Sequence, residues 1–155
     1  MNRGVTVLPK ALAATGAVVA IDQLTKYLAT SQLMLGERSE VLPFLAFDVS
    51  YNSGVAFGIG GDVSALVIAA ELVLLSVMLW WLAATSRSAA LIWLPAALLL
   101  GGALGNLADR ARDGAVIDFV DLPRWPTFNL ADVAIVAGVV LLVIGVGRQE
   151  REAPP

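Results

Sequence analysis

Between Asn106 and Asp132 the chain carries five aspartates, at positions 109, 113, 118, 121 and 132, and long apolar runs lie on both sides of the window. Carboxylates beside membrane-length segments are expensive to keep, so these residues mark candidate chemistry. The chain has no cysteine and no histidine. That removes a Cys nucleophile, a Ser-His couple and zinc sites of the usual ligand types, and no metal is expected. Two hydrolytic options remain. One is a Ser/Lys pair, for which Ser53 and Lys26 are the available members. The other is a carboxylate pair. Two close aspartates cannot both ionise, so one keeps a proton and hydrogen-bonds the scissile carbonyl while the charged one deprotonates a water. The neutral acid then passes its proton to the leaving amine, no covalent intermediate forms, and the pair titrates jointly. Composition favours the carboxylate pair. Spacing alone leaves its members open, because Asp109 with Asp132 fits as well as Asp118 with Asp132.

Several helices must hold such residues at one level. The chain is 58% hydrophobic and 15% charged, whereas soluble domains carry about 25% charged residues. The apolar residues fall in runs of roughly 18 or more, enough to span a bilayer as helices. We expect an all-α integral membrane protein with one domain over residues 1–155. Its spans fall at about 9–28, 63–84, 89–109 and 130–147. The first is expected to be a retained helix and not a removed signal peptide. A net charge of −3 implies no basic surface for nucleic acid. Four spans put both termini on one side. Asp22, Lys26, Asn52, Asn106, Asp109, Arg110, Asp118, Asn129 and Asp132 then share the opposite rim. Five Lys/Arg on the termini side against four on the other weakly favour cytoplasmic termini.

Local patterns add detail. Asp22 and Lys26 lie four apart, acid first, and can pair on one helix face. Leu45, Phe47, Val49 and Tyr51 alternate with Ala46, Asp48 and Ser50, which predicts a strand with one apolar face. Val116–Val120 is also strand-like, after a turn at Asp113-Gly114. Asn52–Gly58 reads as a tight turn. Asp62 is placed to cap the second span and Trp80-Trp81 to anchor it, while Glu71 sits unexplained in its middle. Pro95 is expected to kink the third span, and Gly101 and Gly105 form a G-x-x-x-G that lets another helix approach. Asn129 and Asp132 fit a capping box, which is the ordinary structural reading of Asp132.

Five pieces together resemble the lipoprotein signal peptidases, the signal peptidase II family of bacterial intramembrane aspartic enzymes. They are Asp22-Gln23-Leu24-Thr25-Lys26, Asn52-Ser53-Gly54-Val55-Ala56-Phe57-Gly58, the run Gly101 to Arg110, Val116-Ile117-Asp118-Phe119 and Phe128-Asn129-Leu130-Ala131-Asp132. The resemblance covers nearly the whole chain. It implies four transmembrane helices with a small extracytoplasmic β-cradle, in the bacterial cytoplasmic membrane with termini inside. It implies cleavage of diacylglyceryl-modified prolipoproteins just before the lipidated cysteine, contact with membrane lipids, inhibition by globomycin-type cyclic peptides and no cofactor. The family's catalytic dyad falls on Asp118 and Asp132. Its supporting positions fall on Asp22, Lys26, Asn52, Gly54, Asn106, Asp109, Arg110, Asn129 and Ala131. Asp109 beside Arg110 would stay ionised and structural, while Asp118 on an apolar strand is more readily desolvated and protonated. The chain departs from the family in a short connection from Asp118 to Asp132 and in Glu71, which matches no motif. The alternative from another class is a small proton- or ion-conducting bundle with Glu71, Asp22 and Lys26 as its path.

Overall fold

The computed structural model describes residues 7–53 and 89–152, together with isolated helical positions at 69, 73 and 77. Its elements are α1 (Val7–Gln32), β1 (Arg38–Leu42), β2 (Leu45–Asn52), α2 (Ala89–Asp113), β3 (Val116–Asp121) and α3 (Leu130–Glu152). Three helices are therefore seen among the described residues. The expected span at 63–84, with Asp62, Glu71 and Trp80-Trp81, lies outside them. Of the described helices, Val7–Gln32 is long and apolar enough to cross a bilayer, and Leu130–Gly145 is a shorter apolar stretch.

Helix α1 is inside out by the standard of a soluble protein. Its buried residues are Ala11, Thr15, Asp22 and Lys26, while Leu8, Leu12, Ile21, Leu24 and Leu28 are exposed. On α3, Val133, Val136, Val140 and Ile144 are exposed in the same way. Lipid accepts such surfaces, and polar groups turn inward to find partners.

Helix α2 lies between α1 and α3 and packs on both. Small residues permit the close approach. A Cβ on Gly101 would stand 2.6 Å from the Val18 Cβ, and one on Gly105 would stand 2.6 Å from Asp22 Oδ2. On the other seam Gly102 lies against the Ala131 carbonyl, and a Cβ on Gly138 would meet Leu99 at 2.8 Å. The G-x-x-x-G is thus the α1–α2 seam, and Gly105 also makes room for a carboxylate. Helix α2 ends where Gly114 adopts φ 74°, and the Gly114 N–H closes on the Arg110 carbonyl at 3.0 Å. Glycine takes this left-handed cap without steric cost, so the turn expected at Asp113-Gly114 forms.

The strands make one antiparallel sheet in the order β1-β2-β3. The period-two burial expected for residues 45–51 fails. Ala46 and Val49 are the buried residues, while Tyr51 is 52% exposed. The register explains the change: Phe47 pairs with Val120 and Ser50 with Asp118, so Asp48 and Val49 both stand opposite Phe119. One extra residue in β2 makes a bulge that shifts the side-chain phase. Val49, Ile117 and Phe119 then form a small core that packs on Ala29 of α1 and on Leu33 just beyond its end. This contact fixes the sheet over the C-terminal end of α1.

Candidate active site

The start of α3 supplies the centre of the site. Asn129 is its N-cap: the Asp132 N–H donates to Asn129 Oδ1 at 3.0 Å, and the Asn129 N–H donates to Asp132 Oδ2 at 3.2 Å. The expected capping box is formed. It occupies one oxygen of Asp132 and leaves Oδ1, which accepts from Asn106 Nδ2 of α2 at 2.9 Å. The Asn129 side chain reaches the other way. Its Nδ2 donates to Asp118 Oδ1 at 2.7 Å and lies 3.1 Å from Asn106 Oδ1 and 3.3 Å from the Ile117 carbonyl. Asp118 Oδ2 accepts from Asn52 Nδ2 at 3.0 Å. Asp118 and Asp132 are therefore joined through two amides, Asn129 directly and Asn106 behind it.

Burial separates the two acids. Asp118 is 2% exposed, between the buried Ile117 and Phe119 of β3. Its pKa is raised to about 6, chiefly by desolvation and also by the nearby Asp132 charge, against the hydrogen bonds from Asn52 and Asn129 and the Lys26 charge. Asp132 is half-buried.

Behind the amides lies a buried ion cluster. Lys26 Nζ is 2.8 Å from Asp22 Oδ2, 2.7 Å from Asp109 Oδ2 and 3.0 Å from Asn106 Oδ1. Each of the three is almost wholly buried. Asp22 Oδ1 accepts the Ala131 N–H at 2.9 Å, which ties α1 to the first turn of α3. Asp109 Oδ2 also accepts the Ile117 N–H at 3.3 Å, which ties the cluster to β3. Removing one member of such a cluster leaves an uncompensated buried charge.

The structure thus brings together Asp22, Lys26, Asn52, Asn106, Asp109, Asp118, Asn129, Asp132 and the backbone of Ala131. Gly54 lies outside the described residues. The expected partnership of Asp109 with Arg110 is corrected: the cations on Asp109 are Lys26 and, at 3.4 Å, Arg112. Consecutive residues on a helix point about 100° apart, which turns Arg110 away from its neighbour and brings Arg112, three residues on, to the same face. Sequence reasoning also missed Gln23. Its Nε2 donates to Asp109 Oδ1 at 2.9 Å and to the Gly105 carbonyl at 3.2 Å, and its Oε1 accepts from Arg112 Nη1 at 3.1 Å. The polar outer third of α1 was the available signal.

Carboxylates, amides and one lysine gather at one end of a helical bundle with an apolar exterior, and the solved structures it resembles are membrane enzymes. A bacterial membrane enzyme solved by the in meso method at 1.9 Å superposes with a TM-score of 0.83 and 29% identity, over 89% of this chain and 92% of its own. A second, solved at 2.3 Å, gives 0.83 and 27% over 95% and 93%. The family model for signal peptidase (SPase) II matches residues 14–147. The lipoprotein signal peptidase of Coxiella burnetii (strain RSA 493 / Nine Mile phase I) is 43% identical over 135 residues, 82% of this chain and 83% of that protein. That of Moorella thermoacetica is 39% identical over 140 residues, 87% and 93%. The chain belongs to the signal peptidase II family, and it is a peptidase.

Proposed function

We propose that this protein removes signal peptides from diacylglyceryl-modified prolipoproteins by cutting before the lipidated cysteine, with Asp118 and Asp132 as its catalytic dyad. The observation that carries the dyad is the amide link: Asn129 contacts both carboxyls, and Asn106 holds Asp132 together with Asn129. Asp118, with its raised pKa, keeps the proton and hydrogen-bonds the scissile carbonyl. Asp132, anchored by the capping box and by Asn106, takes a proton from the attacking water. The proton on Asp118 then goes to the departing amine, and Asp132 passes the proton it took from water to Asp118, which restores the protonated Asp118 and the ionised Asp132. The stationary amides orient the pair. Asn52 holds Asp118 from the sheet, and the Asp22–Lys26–Asp109 cluster holds Asn106 and the start of α3. Gly54 and Arg110 complete the supporting set.

The Ser53/Lys26 alternative is disfavoured because the Lys26 ammonium commits its three donors to Asp22, Asp109 and Asn106. The same closed cluster suits a structural brace and not the path of an ion conductor. The chain is read as one domain with four membrane helices, the fourth supplied by residues 63–84. It sits in the bacterial cytoplasmic membrane with cytoplasmic termini and an extracytoplasmic site, in contact with membrane lipids and open to globomycin-type peptides. Purified protein in detergent should cut a diacylglyceryl-modified precursor at the bond before the modified cysteine, as read by mass spectrometry. Cleavage elsewhere, or equal cleavage of the unlipidated precursor, would overturn the assignment.

A further inference from the structure

Beta strand β3 has two faces. Asp118 belongs to one, and its neighbour Phe119 points to the other, toward the outer end of α1. There a cavity of about 510 Å³ lies between α1 and the sheet, within the roughly 300–1,000 Å³ typical of small-molecule sites. Its walls are apolar: Leu28 and Ala29 from the helix, Leu33 just past its end, and Phe47 and Phe119 from the sheet. The two rings are 6.3 Å apart and tilted at 47°, forming an aromatic floor. At the shallower end the lining turns polar, with Gln32, Glu37 and Ser39. Toward the bilayer it passes Leu28, which is 42% exposed and continuous with the lipid-facing Leu24.

We propose that this cavity receives one acyl chain of the diacylglyceryl group on the substrate, so that lipid is read on the face of β3 opposite the carboxyl pair. The inference rests on the proposed function and gives its lipid requirement a place. The occupant must be apolar along its length and polar but uncharged or cationic at its head, because the rim holds Glu37 and none of the described lining residues is basic. An anionic phospholipid headgroup is repelled there, whereas a glyceryl ester linked to a cysteine sulfur is uncharged. The described wall runs along α1 from Thr25 to Gln32, about 10 Å at the helical rise. Only the proximal part of a long chain is held, and the remainder lies in the bilayer.

Burial of each methylene changes affinity by roughly fourfold. Precursors with diacylglyceryl groups from acetyl to palmitoyl should therefore show KM falling steeply over the first methylenes and then levelling, with kcat little changed. Ala29→Phe, which fills the groove, should raise KM for the palmitoyl precursor by about 10- to 100-fold and flatten the dependence on chain length, since the phenyl displaces several methylenes. Leu28→Ala should move the levelling point to longer chains. A diacylglyceryl-cysteine peptide with a diazirine in one acyl chain should label the segment from Leu28 to Leu33 or Phe119 in the native protein, whether or not any bond is cut. Labelling confined to α3, or the same chain-length dependence in Ala29→Phe as in the unsubstituted protein, would overturn the proposal. An unsubstituted protein that labels at the groove but cuts no lipidated precursor would refute the proposed function and leave the acyl site standing.

Discussion

Replacing Asp118 by Asn should reverse its effect on stability between acid and neutral pH. The carboxyl is almost wholly buried, and its pKa is raised from 3.8 to about 6, chiefly by desolvation. That difference corresponds to about 3 kcal/mol at roughly 1.4 kcal/mol per unit. An acid raised in the folded state stabilises the fold while protonated. Its contribution is complete below about 4 and is lost as pH rises through about 6. An amide carries no such penalty, so Asp118→Asn removes it at neutral pH. The amide has one acceptor oxygen where the carboxyl offers two, to Asn52 and to Asn129, and one lost hydrogen bond costs about 1 kcal/mol. The variant should be about 2 kcal/mol more stable than the parent at pH 7.5 and about 1 kcal/mol less stable at pH 4. Thermal unfolding of both proteins in one detergent, scanned from pH 4 to 8, reads the difference directly. A difference that keeps one sign and size across that range would refute the desolvated acid.

Lys26→Met should cost about 3–5 kcal/mol, because it leaves Asp22 and Asp109 buried without their shared cation. Adding Asp109→Asn should recover part of the lost thermal stability, and an unchanged midpoint in Lys26→Met would contradict the cluster. Gly105→Ala should destabilise by about 1–3 kcal/mol as its methyl meets Asp22 Oδ2. Gly145→Ala, with open space around it, should be neutral or stabilising in the same assay. The kcat/KM of cleavage should decline as pH rises past about 6, where the free enzyme's protonated acid is lost. A profile flat to alkaline pH would assign the proton to another group.

The outline of the site was legible because its chemistry is sparse. With no His or Cys to choose from, aspartates at the ends of apolar runs stood out, and counting spans brought them to one rim. The Asn129/Asp132 capping box and the Asp22/Lys26 pair follow from helical spacing and form as read. What escaped depends on angles between neighbours and on pairing across elements. Gln23 and Asp22 are adjacent, so a spacing argument turns them to different faces, yet the long Gln23 side chain reaches round to Asp109. The β2 bulge inserts a residue opposite Phe119 and breaks the phase, so that Ala46 is buried before it and Val49 after it, which a period-two pattern could not register. The choice of Asp118 over Asp109 rested on resemblance. The structure is consistent with it, because Asp109 is spent on Lys26, Arg112 and the Ile117 amide, while among the described residues the hydrogen bonds to Asp118 come from the amides of Asn52 and Asn129.

The central claim is that Asp118 and Asp132 act together on one water. Asp118→Asn and Asp132→Asn, each purified in detergent and shown to be folded, should cut a diacylglyceryl-modified precursor on the order of 10²- to 10⁴-fold more slowly than the parent. Full-rate cleavage by either variant would contradict the account.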